Sequence, residues 1–240
     1  MGSVGTLVSL KRRARTRAVA AVGARESFAA GRVVWICALW ALIHSLLASK
    51  QAKDFTHRIA GPRYRDGLYR LAYNAQSVVL LLWAARQFGQ LPDRELYRVS
   101  SRWFWLFRTG QAASLGALLS GVRVMGVLKF AGIAPLGDFL RRRDIRPEPE
   151  AQGPPICADG EVAMAGAFRF TRHPGNLGAL GFFLFMPRMT ANRAVLVALV
   201  ILYVVLGSVH EEYRLRAAYG DPYERYRRVV PFLVPRRPRP

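Results

Sequence analysis

Acidic side chains are scarce in this sequence: 15 Asp and Glu stand against 36 Lys and Arg, a formal charge of +21. So large an imbalance raises nucleic-acid binding first. No zinc-finger, helix-turn-helix or RNA-recognition signature accompanies it, and the charges fall between apolar runs rather than on one face. No nucleic-acid partner is therefore expected. Cysteine is scarcer still, with Cys37 inside an apolar run and Cys157 in a Pro/Gly-rich stretch. No close-spaced pair suggests a zinc site or a redox motif, a disulfide framework is not expected, and no metal is assigned. Cys37 reads as a small hydrophobe. There is no Ser-His-Asp or Cys-His arrangement for covalent catalysis and no Gly-rich dinucleotide fingerprint.

Apolar surface, by contrast, is abundant: 52% of residues, collected into runs. Val33 to Ser49 approaches the length a helix needs to cross roughly 30 Å of hydrocarbon. Leu68 to Ala85 is a second candidate, with Arg70 placed to snorkel at its start. Trp103 to about Gly126 is a third. It opens on an interfacial belt of Trp103, Phe104, Trp105 and Phe107, and its small residues permit close helix approach. The stretch from there to Leu140 reads as a continuation, a re-entrant piece or an amphipathic helix, so six spans stay open beside five. A hairpin closes the set: Asn176 to Met186, the turn "RMTANR", then Ala194 to about Ala218. The second arm, at ~1.5 Å per residue, exceeds the hydrocarbon thickness and should project into water.

The fold class expected is all-α: a polytopic integral-membrane helical bundle of about five spans, with a C-terminal helical hairpin and a cytosolic cap. Its parts are a basic N-terminal arm (1–32) expected to be disordered, N-terminal transmembrane helices (33–140), a polar loop (141–167) and the C-terminal hairpin and cap (168–240). The arm reads equally as a transit peptide, a signal n-region or an upstream start. Counting Lys and Arg, segments 49–70, 141–176 and 209–240 carry 20 and segments 1–32, 86–102 and 188–193 carry 13, which puts the first set in the cytosol. Membrane lipids are expected partners, and the oligomeric state is left open.

Two polar groups then fall on one side, Arg172-His173-Pro174 where the hairpin starts and His210-Glu211-Glu212 where it ends. A hairpin brings its ends together. Arg and His donate to a carboxylate or a developing anion. The Glu pair accepts from an ammonium group or from hydroxyls. Pro174 suits the first helical turn, where its missing N–H costs nothing. Singly, each residue reads as an anchor or a solvated helix end; the joint placement carries the reading of a site. His44 and Asn74 lie within spans, where polar residues are costly; an interhelical hydrogen bond is the favoured reading for both. Arg108 and Arg123 read as facing a lipid headgroup or a substrate carboxylate.

"RHP", an apolar hairpin, a Glu-Glu pair and then "YGDPYERYRRVVP" resemble the C-terminal half of the isoprenylcysteine carboxyl methyltransferase superfamily. The match runs from about Phe168 to Pro235 in order and spacing, through Glu211, Glu212, Leu215, Tyr219, Gly220, Tyr223, Tyr226, Val230 and Pro231. "HSLLASK" and "GLYRLAYN" are similar, more weakly, to bacterial NnrU-type and methanethiol S-methyltransferase-like proteins. The resemblance implies an integral-membrane methyltransferase using S-adenosyl-L-methionine on a small or lipophilic thiol or carboxylate, in a bacterial inner membrane with the site facing the cytosol. It implies catalytic roles for Arg172, His173 and Glu212. It implies cofactor contacts for His173, Pro174, Asn176, Glu211, Glu212, Tyr223 and Tyr226. Many members carry Tyr where this chain has Asn176. Asn176 can hydrogen-bond but offers no ring, which leaves the local geometry and the substrate open.

Two other readings compete. Membrane sterol reductases, which use NADPH, share an RHP-containing tail; the Glu pair and the tyrosines favour methyl transfer. A non-enzymatic, haem-linked accessory protein would use His44, His173 or His210 as axial ligands, without diagnostic spacing to support it.

Overall fold

The computed structural model describes residues 3–147 and 151–235, with side chains from residue 23 onward apart from residue 24. Parts of the expected arm, loop and tail (1–2, 148–150 and 236–240) lie outside the described residues. The first helix, α1, runs Ser3–Ala48. The arm expected to be disordered is thus helical backbone continuous with the first span. Its Ala and Arg are strong helix formers, and no proline interrupts them. Ser49 ends α1 and caps α2 (Lys50–Ala60), its hydroxyl accepting from the Ala52 N–H at 3.2 Å. α3 (Pro62–Gly67) leads into α4 (Tyr69–Phe88), and α5 (Ser101–Met125) follows the short strand β1 (Glu95–Arg98). α4 and α5 coincide with the second and third expected spans.

α6 (Val127–Ala131) and α7 (Ile133–Leu140) have 5 and 8 residues. Neither reaches across a bilayer at ~1.5 Å per residue, so the six-span reading falls. The hairpin is lopsided. α8 (Pro174–Leu184) has 11 residues, about 16 Å of helix, whereas α9 (Ala191–Tyr219) has 29. The rest of the first arm is irregular chain and the strand β2 (Arg188–Thr190), which pairs antiparallel with β1. The fold is helical as expected, and this small two-stranded ribbon, built from two short polar connections, is an addition to it. α10 (Asp221–Val229) closes the described chain.

Among the described residues, two helical stretches are long and apolar enough to cross a membrane, Arg25–Ala48 and Ala191–Tyr219. α4, α5 and α8 do not meet that standard, so the helices by themselves establish two spans of the five expected. Large apolar side chains face outward along all the long helices, among them Leu42, Leu82, Trp105 and Leu206. An apolar surface of that extent calls for lipid rather than water, and the protein is read as a membrane protein.

α5 and α8 pack backbone to backbone. A Cβ on Gly178 would stand 2.5 Å from the Ser114 carbonyl oxygen, and one on Gly121 would stand 2.8 Å from Pro174 Cγ. Small residues at such a seam admit close approach. That contact fixes the start of α8, and with it His173. The polar segment 141–167 is not a free loop either. Ala151 and Val162 are buried with Leu215, Tyr223, Tyr226 and Val230 in one apolar cluster. Its apolar residues follow no helical or strand period, so only the packed chain reveals their target.

Candidate active site

Arg172 is the tie between hairpin and tail. Its backbone N–H donates to the Pro231 carbonyl at 3.0 Å. Its Nη1 donates to the carbonyls of Val230 at 2.7 Å and Arg227 at 3.2 Å, capping the end of α10 with a cation as the helix dipole favours. Its Nε donates to Glu212 Oε1 at 2.8 Å. His173 follows at the N-cap position of α8, and Pro174 takes the first turn, buried against α5.

Glu212 gathers four donors. Oε1 accepts from Arg172 Nε, His173 Nε2 and Tyr223 OH, each at 2.8 Å, and Oε2 from Arg227 Nε at 2.9 Å. A carboxylate taken from water needs such pairing to be tolerated at all. His173 Nδ1 lies 3.2 Å from Glu211 Oε2, so each ring nitrogen faces a carboxylate oxygen. Two acceptors flanking one ring require two N–H donors, the imidazolium form. Burial pushes the His173 pKa down, but the hydrogen bonds and charges of Glu211 and Glu212 together outweigh it and raise it above 6.5. Burial, then the bond to Glu212, raises the Tyr223 phenol and keeps it a donor.

Of the residues expected at a site, five meet in this cluster: Arg172, His173, Glu211, Glu212 and Tyr223. Glu211 and Asn176 also face a cavity. They edge a cavity of about 300 Å³ between the C-terminal end of α1, α2, α4 and α9. Asn176 Nδ2 donates to Ser208 Oγ at 2.8 Å and sits 3.5 Å from Glu211 Oε2. Glu212, Tyr223 and Tyr226 line neither this cavity nor the neighbouring one of about 430 Å³. Tyr226 instead donates to the Phe168 carbonyl at 2.8 Å and holds the tail. His210 is exposed at the cavity rim.

Several contributors carry no signal in the sequence. Arg227 grips Glu212 from 15 residues away, and a charge in an Arg-rich tail does not stand out on its own. Lys53, Arg70 and Arg214 line the same cavity as Glu211 and bring positive charge to it. His44 and Tyr73, which also line it, belong to an aromatic and hydroxyl group on α1 and α4. His44 Nε2 lies 2.7 Å from Tyr73 OH, His44 Nδ1 lies 3.1 Å from Ser77 Oγ, and Trp40 stacks on the His44 ring at 4.5 Å. The expected interhelical hydrogen bonds of His44 and Asn74 are thus present, Asn74 donating to the Phe130 carbonyl at 2.9 Å. Arg108 donates to Gln111 Oε1 at 3.0 Å and stands over the face of Phe104.

The fold and site together define an apolar helical protein with a charged cluster at one end of a hairpin. Comparison with known proteins narrows the class. The chain is 25% identical over 211 residues to the methanethiol S-methyltransferase of Pseudomonas deceptionensis, covering 84% of this chain and 71% of that protein. It is 25% identical over 202 residues to the methanethiol S-methyltransferase of Crocosphaera subtropica, covering 84% of this chain and 73% of the other. A stretch of 69 residues, 29% of this chain and 27% of the relative, is 39% identical to methanethiol S-methyltransferase 2 of Bradyrhizobium diazoefficiens. No family model matches, and no solved structure matches. These relatives support the isoprenylcysteine carboxyl methyltransferase-like family and a methyltransferase enzyme.

Proposed function

We propose that this protein transfers a methyl group from S-adenosyl-L-methionine to a small thiol at the membrane. The observation that carries the reading is the buried Arg172–His173–Glu212 cluster, which holds Glu211 at the edge of a cavity of about 300 Å³. The lining suits a zwitterionic cofactor: Glu211 can accept from an ammonium group, Lys53, Arg70 and Arg214 suit a carboxylate, and Tyr69 and Tyr203 offer ring faces. Bound there, the cofactor supplies an electrophilic methyl group. The chain's own task is alignment, charge complementarity and exclusion of water. Glu212 acts by fixing His173 and Arg172, and His173 by orienting Glu211. The acceptor class follows the relatives' names. The setting proposed is the bacterial inner membrane, with the cluster facing the cytosol.

The haem reading gains little from His173 and His44: an axial ligand needs a ring nitrogen, yet those of His173 face Glu211 and Glu212 and those of His44 face Ser77 and Tyr73, which leaves it the exposed His210. Calorimetry in detergent with S-adenosylhomocysteine tests the proposal. Wild type should bind, and Glu211→Ala, His173→Ala and Glu212→Ala should each weaken binding tenfold or more, as lost hydrogen bonds to charged groups of about 1.5–3 kcal/mol imply. Saturable NADPH binding with no response to S-adenosylhomocysteine would overturn it.

A further inference from the structure

We infer that Tyr73 and His44 form a proton relay for the acceptor thiol at the inner end of the cavity. The inference rests on the methyl-transfer reading. Tyr73 on α4 and His44 on α1 both line the cavity that Glu211 and Asn176 edge. Tyr203, also lining it, stands eight residues before Glu211 on α9, so this end lies about 12 Å along the helix from the charged cluster. Tyr73 OH is 2.7 Å from His44 Nε2, and the ring is steadied by Ser77 Oγ at 3.1 Å from Nδ1 and by Trp40 stacked at 4.5 Å. Both hydrogen-bond partners of His44 are hydroxyls, which suits a neutral imidazole able to take a proton. The Trp40 indole N–H, on the ring against His44, is buried without a partner. An unmade bond of that kind costs about 1–3 kcal/mol and marks this end as more polar than packing requires.

A neutral thiol is a poor nucleophile beside its thiolate, so its proton must leave as the new bond forms. The thiol S–H bond breaks and its proton passes to Tyr73 Oη, while the proton of Tyr73 passes to His44 Nε2. The sulfur's freed electron pair forms the bond to the methyl carbon as that carbon's bond to the donor sulfur breaks. The positive charge ends on the imidazolium. Tyr73 is the catalytic residue in this scheme, and His44 is a positioning residue that works through it.

The test compares wild type with Tyr73→Phe and His44→Gln in purified protein. Both variants should bind S-adenosylhomocysteine within twofold of wild type, which also establishes their folding. Their kcat with a small alkanethiol should fall about 10²–10⁴-fold, the usual worth of general acid–base catalysis. With thiophenol, ionised at the assay pH, the deficit should shrink below tenfold. Equal losses with both thiols, no loss with either, or loss of S-adenosylhomocysteine binding would overturn the relay. A wild-type protein that neither binds S-adenosylhomocysteine nor transfers methyl groups would overturn the functional reading, and the relay with it.

Discussion

Glu212 and Glu211 are neighbours in sequence and unlike in role. Glu212 is 8% exposed and spends its lone pairs on Arg172, His173, Tyr223 and Arg227. Glu211 keeps one oxygen on His173 and meets the cavity. Removing one partner of a buried charge group typically costs about 3–5 kcal/mol, because the others are left uncompensated. His173 adds a pH dependence. Its folded pKa is raised above 6.5, so its contribution to stability is full below 6.5 and fades as pH rises through the folded value. The margin in half-unfolding temperature between wild type and His173→Gln should therefore narrow from pH 6 to pH 9; a constant margin would contradict the imidazolium assignment. That Arg172, His173, Glu211 and Glu212 belong together was legible, because a hairpin joins its ends. Which Glu is saturated and which is open was not. The difference depends on Arg227 and Tyr223, whose arrival from α10 is a matter of how a turn at Gly220 aims the last helix.

Among the elements, α5 and α8 set the precision of the site. Gly178 lies where any side chain would meet the Ser114 backbone. Gly178→Leu should cost about 1–3 kcal/mol or more through overpacking and displace the start of α8. A fall in half-unfolding temperature with lost S-adenosylhomocysteine binding would show it; a variant of unchanged stability and binding would show that the seam does not position the site. The long helices were readable from apolar runs, since length and hydropathy decide them locally. The β1–β2 pairing and the end of α8 at Leu184 were not, because strands of 4 and 3 residues exist through each other rather than through their own composition. The segment 141–167 escaped for the same reason: Ala151 and Val162 are buried by partners on α9 and α10.

At the scale of the molecule, contacts join several of the charged segments. Glu26 pairs with Arg94 at 2.9 Å, and β1 joins β2, so Glu26, Arg94 and the two strands lie together at one end. Arg63 donates to the Phe139 and Arg143 carbonyls, and Arg172 to those of Arg227 and Val230, at the other. Segments 49–70, 141–176 and 209–240 carry the larger share of Lys and Arg in the sequence, and the proposed orientation, with the cluster facing the cytosol, rests on that count. Cys157, in the second of these segments, is exposed. A membrane-impermeant maleimide should label it in inside-out vesicles and not in intact cells, with the signal lost in Cys157→Ser; labelling of intact cells would reverse the topology. The central claim is tested most directly by incubating the purified protein with methyl-labelled S-adenosylmethionine and a small alkanethiol. Wild type should give labelled thioether and Glu211→Ala should lose a hundredfold or more of that activity, whereas wild type that forms no labelled product, or Glu211→Ala that keeps full activity, would contradict it.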